Sequence, residues 1–181
     1  MIPTGTFAQM LEAAQPGDYV VMWNHNPVAS LIEYLTGGPS HVFTLAKFPE
    51  FSEWVEMEAV FLYGTRILPA THYANLTSKM VLCRRKGATQ ADIDLAIGRG
   101  LQAMGRRYEV TEEIEGALEH ILPAPLAPHM RFTENSLYCS GLEQDEWQTG
   151  SVPFTPSPTG GNLTPQQTFE DALTLQVFQV N

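Results

Sequence analysis

The sequence predicts an α+β fold in which an antiparallel sheet packs against helices on one side. Short apolar runs that are typical of strands recur through the chain, and turn residues separate several of them in succession. Only a few segments carry helical periodicity or a helix-start signal, and they do not alternate regularly with the strands. A parallel sheet, which needs a crossover helix between strands, is therefore not expected.

The first half of the chain is predicted to be mostly strands. A short helix is expected over 5–14, and Pro16-Gly17-Asp18 is a turn. A second helix is expected after Pro27, with an apolar stripe that Gly37-Gly38-Pro39 closes. The predicted strands are Tyr19–Trp23, His41–Ala46, Trp54–Leu62, Thr65–Leu68 and Met80–Cys83.

The second half contains the clearest helix signal. Thr89 with Asp92 three residues later has the form of a capping box, and an apolar face follows it. Another helix is expected over 109–121, and the three prolines of 122–129 predict a loop. A helix over about 136–147 would have Cys139 in its opening turn. A loop over 150–165 and a final strand over 175–180 complete the prediction.

Composition limits the classes of function. The 181 residues are interpreted as a single domain over 1–181, and the net charge of −10 argues against a nucleic-acid partner. The basic clusters Arg84-Arg85-Lys86 and Arg106-Arg107 are interpreted as solvated ends of elements. No transmembrane run and no leader peptide is recognised, so the expected location is the cytoplasm or a larger assembly such as a virus particle. The sequence leaves the oligomeric state open.

The two cysteines are compatible with one reactive thiol and do not indicate a metal site. Cys83 and Cys139 form no CxxC motif, so neither a disulfide scaffold nor structural zinc is expected. Cys83 lies in an apolar strand and is interpreted as core. Cys139 lies at a helix start, where the partial positive charge of the helix favours a thiolate. No metal or organic cofactor is predicted.

Two further groups complete the predicted chemistry. His41 follows a turn and begins a strand, and the strand after it carries Glu56 and Glu58. A thiolate needs a base to take its proton, and an imidazole needs a third group to orient it. Alternation places both glutamates on one face of their strand, so periodicity cannot choose between them.

These motifs, in this order, resemble the circularly permuted branch of the NlpC superfamily of papain-fold cysteine hydrolases. The branch is the YiiX-like group, distantly related to lecithin:retinol acyltransferase. The resemblance runs from residue 15 to the C-terminus. It departs from the family at Gly141-Leu142, where Glu is common before Leu, and at 47–52, where a Gly-rich step is usual. The matching segments are Gln15-Pro16-Gly17-Asp18, Ser40-His41-Val42, Met57-Glu58-Ala59, Tyr138-Cys139-Ser140 and Leu163-Thr164-Pro165.

The resemblance implies a papain-like, permuted NlpC-type fold with Cys139 as nucleophile and His41 as base. It favours Glu58 over Glu56 as the orienting carboxylate. Tyr138, next to the nucleophile, either packs against the fold or donates a hydrogen bond near the cleft, where it would contact the substrate. The implied reaction cleaves an amide bond through a thioacyl-enzyme, with peptidoglycan peptide as the first candidate substrate. One alternative is a lipid or ester acylhydrolase or acyltransferase with the same Cys and His. Another is a papain-like binding or structural module without catalysis, for example in a virus particle.

Overall fold

The computed structural model describes residues 2–24, 29–30, 33–34, 37–60, 63–76, 78–108, 136–137, 139–156 and 163–180. The predicted α+β class, with a sheet packed against helices, is confirmed. The strands are β1 Thr4–Gly5, β2 Tyr19–Trp23, β3 His41–Ala46, β4 Val55–Val60, β5 Gly64–Pro69, β6 Lys79–Arg85, β7 Arg107–Tyr108, β8 Ser136–Leu137 and β9 Thr174–Val180. The helices are α1 Phe7–Ala13, α2 Gln90–Ala103, α3 Cys139–Trp147 and α4 Pro165–Glu170, with a 3₁₀ helix at Ala70–Tyr73.

Within the described ranges, seven strands form the main sheet in the order β1-β9-β6-β2-β3-β4-β5. All neighbours are antiparallel except β1 and β9. Strand β2 lies between β6 and β3, and its Met22 is opposite His41. The turn into β2 contains Gly17 at a φ of 83°, a conformation that glycine adopts without steric cost. The central strands are thus held on both sides, which gives His41 a rigid support.

Three of the helices begin with the same local device. A threonine at the N-cap accepts a hydrogen bond from the backbone of the third helical residue, whose side chain accepts from the threonine N–H. Each box thereby satisfies backbone donors that the helix itself leaves without partners. The pairs are Thr6 with Gln9, Thr89 with Asp92 and Thr164 with Gln167.

The two faces of the sheet bury separate apolar clusters. One face carries Phe43 and Leu45 of β3 with Met10 of α1 and the aromatic ring of Tyr73. The other carries Val42 of β3 with residues of α2 and α3, among them Ala96, Cys139 and Trp147. Successive residues of β3 therefore contribute to opposite clusters, as strand geometry requires.

The interpretation of Arg85 as a solvated end of an element is wrong. Its side chain is completely buried, and Nη1 lies 2.7 Å from Oδ1 of Asp171. The remaining donors reach the backbone oxygens of Val152 and Pro153. Arg84 is half-buried and binds Asp18 through Nε and Nη2, each at 2.7 Å. Both arginines tie the end of β6 to distant parts of the chain.

Other predictions fall partly or wholly outside the described ranges. The helix expected after Pro27 is largely outside them, and the helix over 109–121 and the loop over 122–129 are entirely so. The late helix begins at Cys139 and not at 136, because Ser136–Leu137 pairs with β7. Helix α4 was not predicted. Among the described helices, none is both long and apolar enough to cross a bilayer.

Candidate active site

His41 stands at the first position of β3, where the strand leaves the turn that ends at Ser40. Its side chain is 13% exposed. The imidazole packs near the rings of Phe43 and Tyr73, with centroid separations of 6.1 and 6.0 Å. An imidazole at the end of a strand is thus supported from one side and still reachable by solvent.

Glu58 binds His41 directly. The carboxylate lies on β4, is fully buried, and its Oε2 is 2.8 Å from Nε2 of His41. The hydroxyl of Tyr73 donates to the same oxygen at 2.7 Å. Nε and Nη2 of Arg66 on β5 each lie 2.7 Å from Oε1. Both oxygens of a buried carboxyl group are therefore satisfied by donors.

These contacts keep Glu58 ionised. Burial alone would raise its pKa, but the hydrogen bonds from His41, Tyr73 and Arg66, with the charge on His41, lower the pKa to about 2. The pKa of Tyr73 is raised by burial and by the neighbouring Glu58 charge, so its hydroxyl keeps its proton. Since Glu58 can only accept, Nε2 of His41 carries a hydrogen, and the basic nitrogen of the neutral ring is Nδ1.

Glu56 lies on the same strand but does not contact His41. Its side chain is fully buried, and neither oxygen has a hydrogen-bond partner within the described residues. Burial and the nearby Glu58 charge raise its pKa to about 9, so the carboxyl group is neutral at pH 7. The structure thus places Glu58, and not Glu56, against the imidazole.

Cys139 is the first residue of α3 and is 1% exposed. Helix α3 packs on β3, β4 and α2. Thr44 of β3 contacts Glu143, one turn into the helix, while Cys139 shares an apolar cluster with Val42. The start of α3 and the start of β3 therefore lie at the same end of the sheet.

The side chains of His41 and Cys139 lie on different faces of β3, which limits where the two can meet. His41 alternates with Val42, so its ring lies with Phe43, whereas Cys139 packs with Val42. Any contact between the thiol and the imidazole has to form around the end of β3, where the strand begins. No contact over the middle of the sheet is open to the pair.

The remaining candidate groups are placed as follows. Tyr138 lies outside the described residues, as do His25, His120 and His129. His72 lies on the 3₁₀ helix. Cys83 is fully buried in β6, and burial raises the pKa of its thiol. Over the part of the chain that the structure describes, no group of three or more His, Cys, Asp or Glu converges as a metal site.

A buried acidic pair lies behind the site and was not predicted. Glu143 and Glu146 of α3 are both 1% exposed, and both contact the hydroxyl of Thr44. One hydroxyl has one hydrogen, so it cannot donate to two carboxylates at once. Burial raises the pKa of Glu143 to about 8 and that of Glu146 well above its usual value. The only sequence feature that pointed to this buried pair was the presence of two glutamates four and seven positions after Cys139.

Comparison with known proteins identifies a shared fold but no matching family. No family model matches the sequence, and no curated protein matches it. A crystal structure of YiiX from Escherichia coli O157:H7, described as a metalloprotein of DUF1105, superposes with a TM-score of 0.68. The two chains share a fold. The match covers 91% of this chain and 97% of YiiX at 14% identity, so the likeness extends to architecture alone.

Proposed function

We propose that this chain is a cysteine hydrolase of the NlpC superfamily, with Cys139 as nucleophile, His41 as base and Glu58 as orienting carboxylate. The observation that carries the proposal is the fully buried Glu58 held 2.8 Å from His41 at the accessible end of β3. A carboxylate in that position fixes the ring and stabilises its charged form. The start of α3 at the same end of the sheet supports Cys139 as the nucleophile.

The chemistry follows from the tautomer. Nδ1 of His41 takes the proton of the Cys139 thiol, and the sulfur forms a bond to the carbonyl carbon of an amide. His41 returns the proton to the leaving nitrogen as the C–N bond breaks, which leaves a thioester. Water then gives a proton to His41 and its hydroxide to the carbonyl carbon. As the C–S bond breaks, His41 passes that proton to the sulfur, which releases a carboxylic acid and restores the thiol. The backbone N–H at the start of α3 is the proposed oxyanion donor.

The first candidate substrate is an amide in a cell-wall peptide, which rests on the family resemblance. The steps above use only groups of this chain and water, with no metal. Carbonyl attack by a thiolate needs none.

An ester or lipid substrate is the second candidate, and a groove favours it. The groove has a volume of about 330 Å³ and lies between the β3–β4 loop and β5. Its size falls within the range of small-molecule sites, and an acyl chain would find mostly apolar atoms there. It borders Val55 at the start of β4, three residues before Glu58. The lining residues are Phe51, Ser52, Glu53, Trp54, Val55, Ile67, Leu68 and Pro69.

Alkylation by iodoacetamide tests the nucleophile without a substrate. We expect Cys139 to react at a pH well below about 8.5, the ordinary pKa of cysteine, because His41 and the helix start favour its thiolate. Cys83 should react only after unfolding, because its thiol pKa is raised and no base lies beside it in the proposed site. Replacing His41 by Ala should move the Cys139 profile toward higher pH. Peptide mass spectrometry assigns the label to one cysteine.

Slow labelling of both cysteines, unchanged by His41→Ala, would contradict the proposal and favour a binding or structural module. If Cys139 labels as expected, release assays on peptidoglycan fragments and on phospholipid vesicles separate the two substrate classes. Cys139→Ala should abolish release in whichever assay is positive, and Cys83→Ala is the matched control that should retain it.

A further inference from the structure

We propose that Arg66 and Tyr73 are positioning residues that hold Glu58 ionised and in one orientation, so that His41 keeps its hydrogen on Nε2. The inference deepens the proposed function and rests on it, since it explains how the base of that site is maintained. It assigns roles to two residues that carry no nucleophile or base of their own.

The two oxygens of Glu58 accept hydrogen bonds from different donors. Arg66 occupies Oε1 with two nitrogens, each at 2.7 Å. Tyr73 and His41 share Oε2 at 2.7 and 2.8 Å. Each oxygen is thus held by its own donors, and if the carboxylate plane turns away from them, His41 loses its acceptor. The orientation of the imidazole therefore depends on side chains that do not touch the proposed reacting atoms.

Each positioning residue is itself held in place. The guanidinium of Arg66 lies 4.7 Å from the ring centroid of Tyr63, a cation–π contact on the outer side. The ring of Tyr73 stacks on Phe43 with a centroid separation of 5.1 Å and an interplanar angle of 20°. Because charge-assisted hydrogen bonds lose strength steeply with poor geometry, such rigid donors are effective.

The buried negative charge of Glu58 needs a permanent cation beside it. Glu58 is completely buried, and an isolated buried carboxylate is too costly to remain ionised. His41 is a cation only when protonated, so it cannot supply that compensation in its neutral, basic form. Arg66 is charged at every relevant pH and supplies it throughout. Without Arg66, the pKa of Glu58 should rise, because only Tyr73 and the neutral His41 would then oppose the cost of burying its charge.

The experiment follows the Glu58 carboxyl carbon by NMR in protein labelled with ¹³C-glutamate, with the signal assigned from Glu58→Gln. We expect Arg66→Met to raise the Glu58 titration midpoint by at least one pH unit, and Arg66→Lys to raise it less because the charge is kept. Tyr73→Phe preserves the ring stack and removes one donor, so a smaller rise is expected. The ¹⁵N shifts of His41 should report hydrogen on Nε2 in the unmodified protein.

The matched control is Arg84→Met, which removes a similarly exposed arginine from a buried carboxylate, Asp18. It should leave the Glu58 midpoint unchanged. An unchanged midpoint in both Arg66→Met and Tyr73→Phe would overturn the inference while leaving the thiol chemistry of Cys139 intact. The alkylation rate of Cys139 at low pH is the second measurement. If the Glu58 midpoint rises but this rate does not change, Arg66 and Tyr73 do not position His41 for catalysis and form only a structural ion-pair cluster with Glu58.

Discussion

We expect Glu58→Gln to lower turnover by three to four orders of magnitude while the fold is retained. The hydrogen-bonding groups that contact the Glu58 carboxylate are all donors. The glutamine side chain has one acceptor oxygen and one NH₂ donor in its place, so the NH₂ group must face one of these donors. With the NH₂ turned toward His41, Nε2 has to accept, and the ring hydrogen moves to Nδ1. The nitrogen proposed as base is then blocked, an effect that costs roughly 10⁴ in a related catalytic arrangement.

Glu56→Gln is the matched control on the same strand. Glu56 is neutral at pH 7 and has no hydrogen-bond partner among the described residues, so an amide changes little at His41. Turnover is measured on the substrate that the release assays identify, with circular dichroism and thermal unfolding to verify the fold. A larger loss from Glu56→Gln than from Glu58→Gln would exchange the roles of the two carboxyl groups.

Stability should decrease as the pH rises from about 5 to 8, because of the buried pair Glu143 and Glu146. Burial raises the pKa of Glu143 from 4.5 to about 8, so its carboxyl group is protonated in the folded chain and ionised in the unfolded chain across this range. Unfolding therefore releases a proton. Each such proton lowers the free energy of unfolding by about 1.4 kcal/mol per pH unit. Glu56, with a pKa raised to about 9 by burial and by Glu58, acts in the same direction.

Glu143→Gln should remove one of the protons that are released on unfolding. The free energy of unfolding from urea titrations at pH 5.5, 6.5 and 7.5 should then fall less steeply, by about 1.4 kcal/mol per pH unit relative to the unmodified protein. Asp145→Asn is the control, because Asp145 lies on the same helix and its side chain is 28% exposed. Equal slopes for Glu143→Gln and the unmodified protein would show that Glu143 is ionised in the folded state.

Local signals predicted much of the fold. The limits of Tyr19–Trp23 and His41–Ala46 agree with the structure, since both are dense apolar runs bounded by turn residues. The capping box at Thr89 was identified because its two hydrogen bonds depend only on residues three apart. Helix α4 was missed because Pro165 follows a loop rich in Gly and Pro, and the helix has only six residues.

The candidate site was less accessible to sequence reasoning, because its contacts are long-range. Nothing local shows that Arg66 and Tyr73 converge on Glu58, or that Arg85 is buried against Asp171 across 86 positions. Periodicity could place Glu56 and Glu58 on one face but could not say which meets His41. That distinction comes from the register of β3 and β4, which places Glu56 opposite Leu45, four residues along β3 from His41.

The position of β9 has a consequence for synthesis. It is the last of the described elements in sequence, yet it lies inside the sheet between β1 and β6. While the chain is being translated, β6 has an open edge and β1 has no partner until Thr174–Val180 leaves the ribosome. An open apolar edge can pair with other chains, and pairings distant in sequence form slowly. The nascent chain therefore exposes an unpaired strand edge until β9 emerges, and a chaperone that covers this edge would limit pairing with other chains.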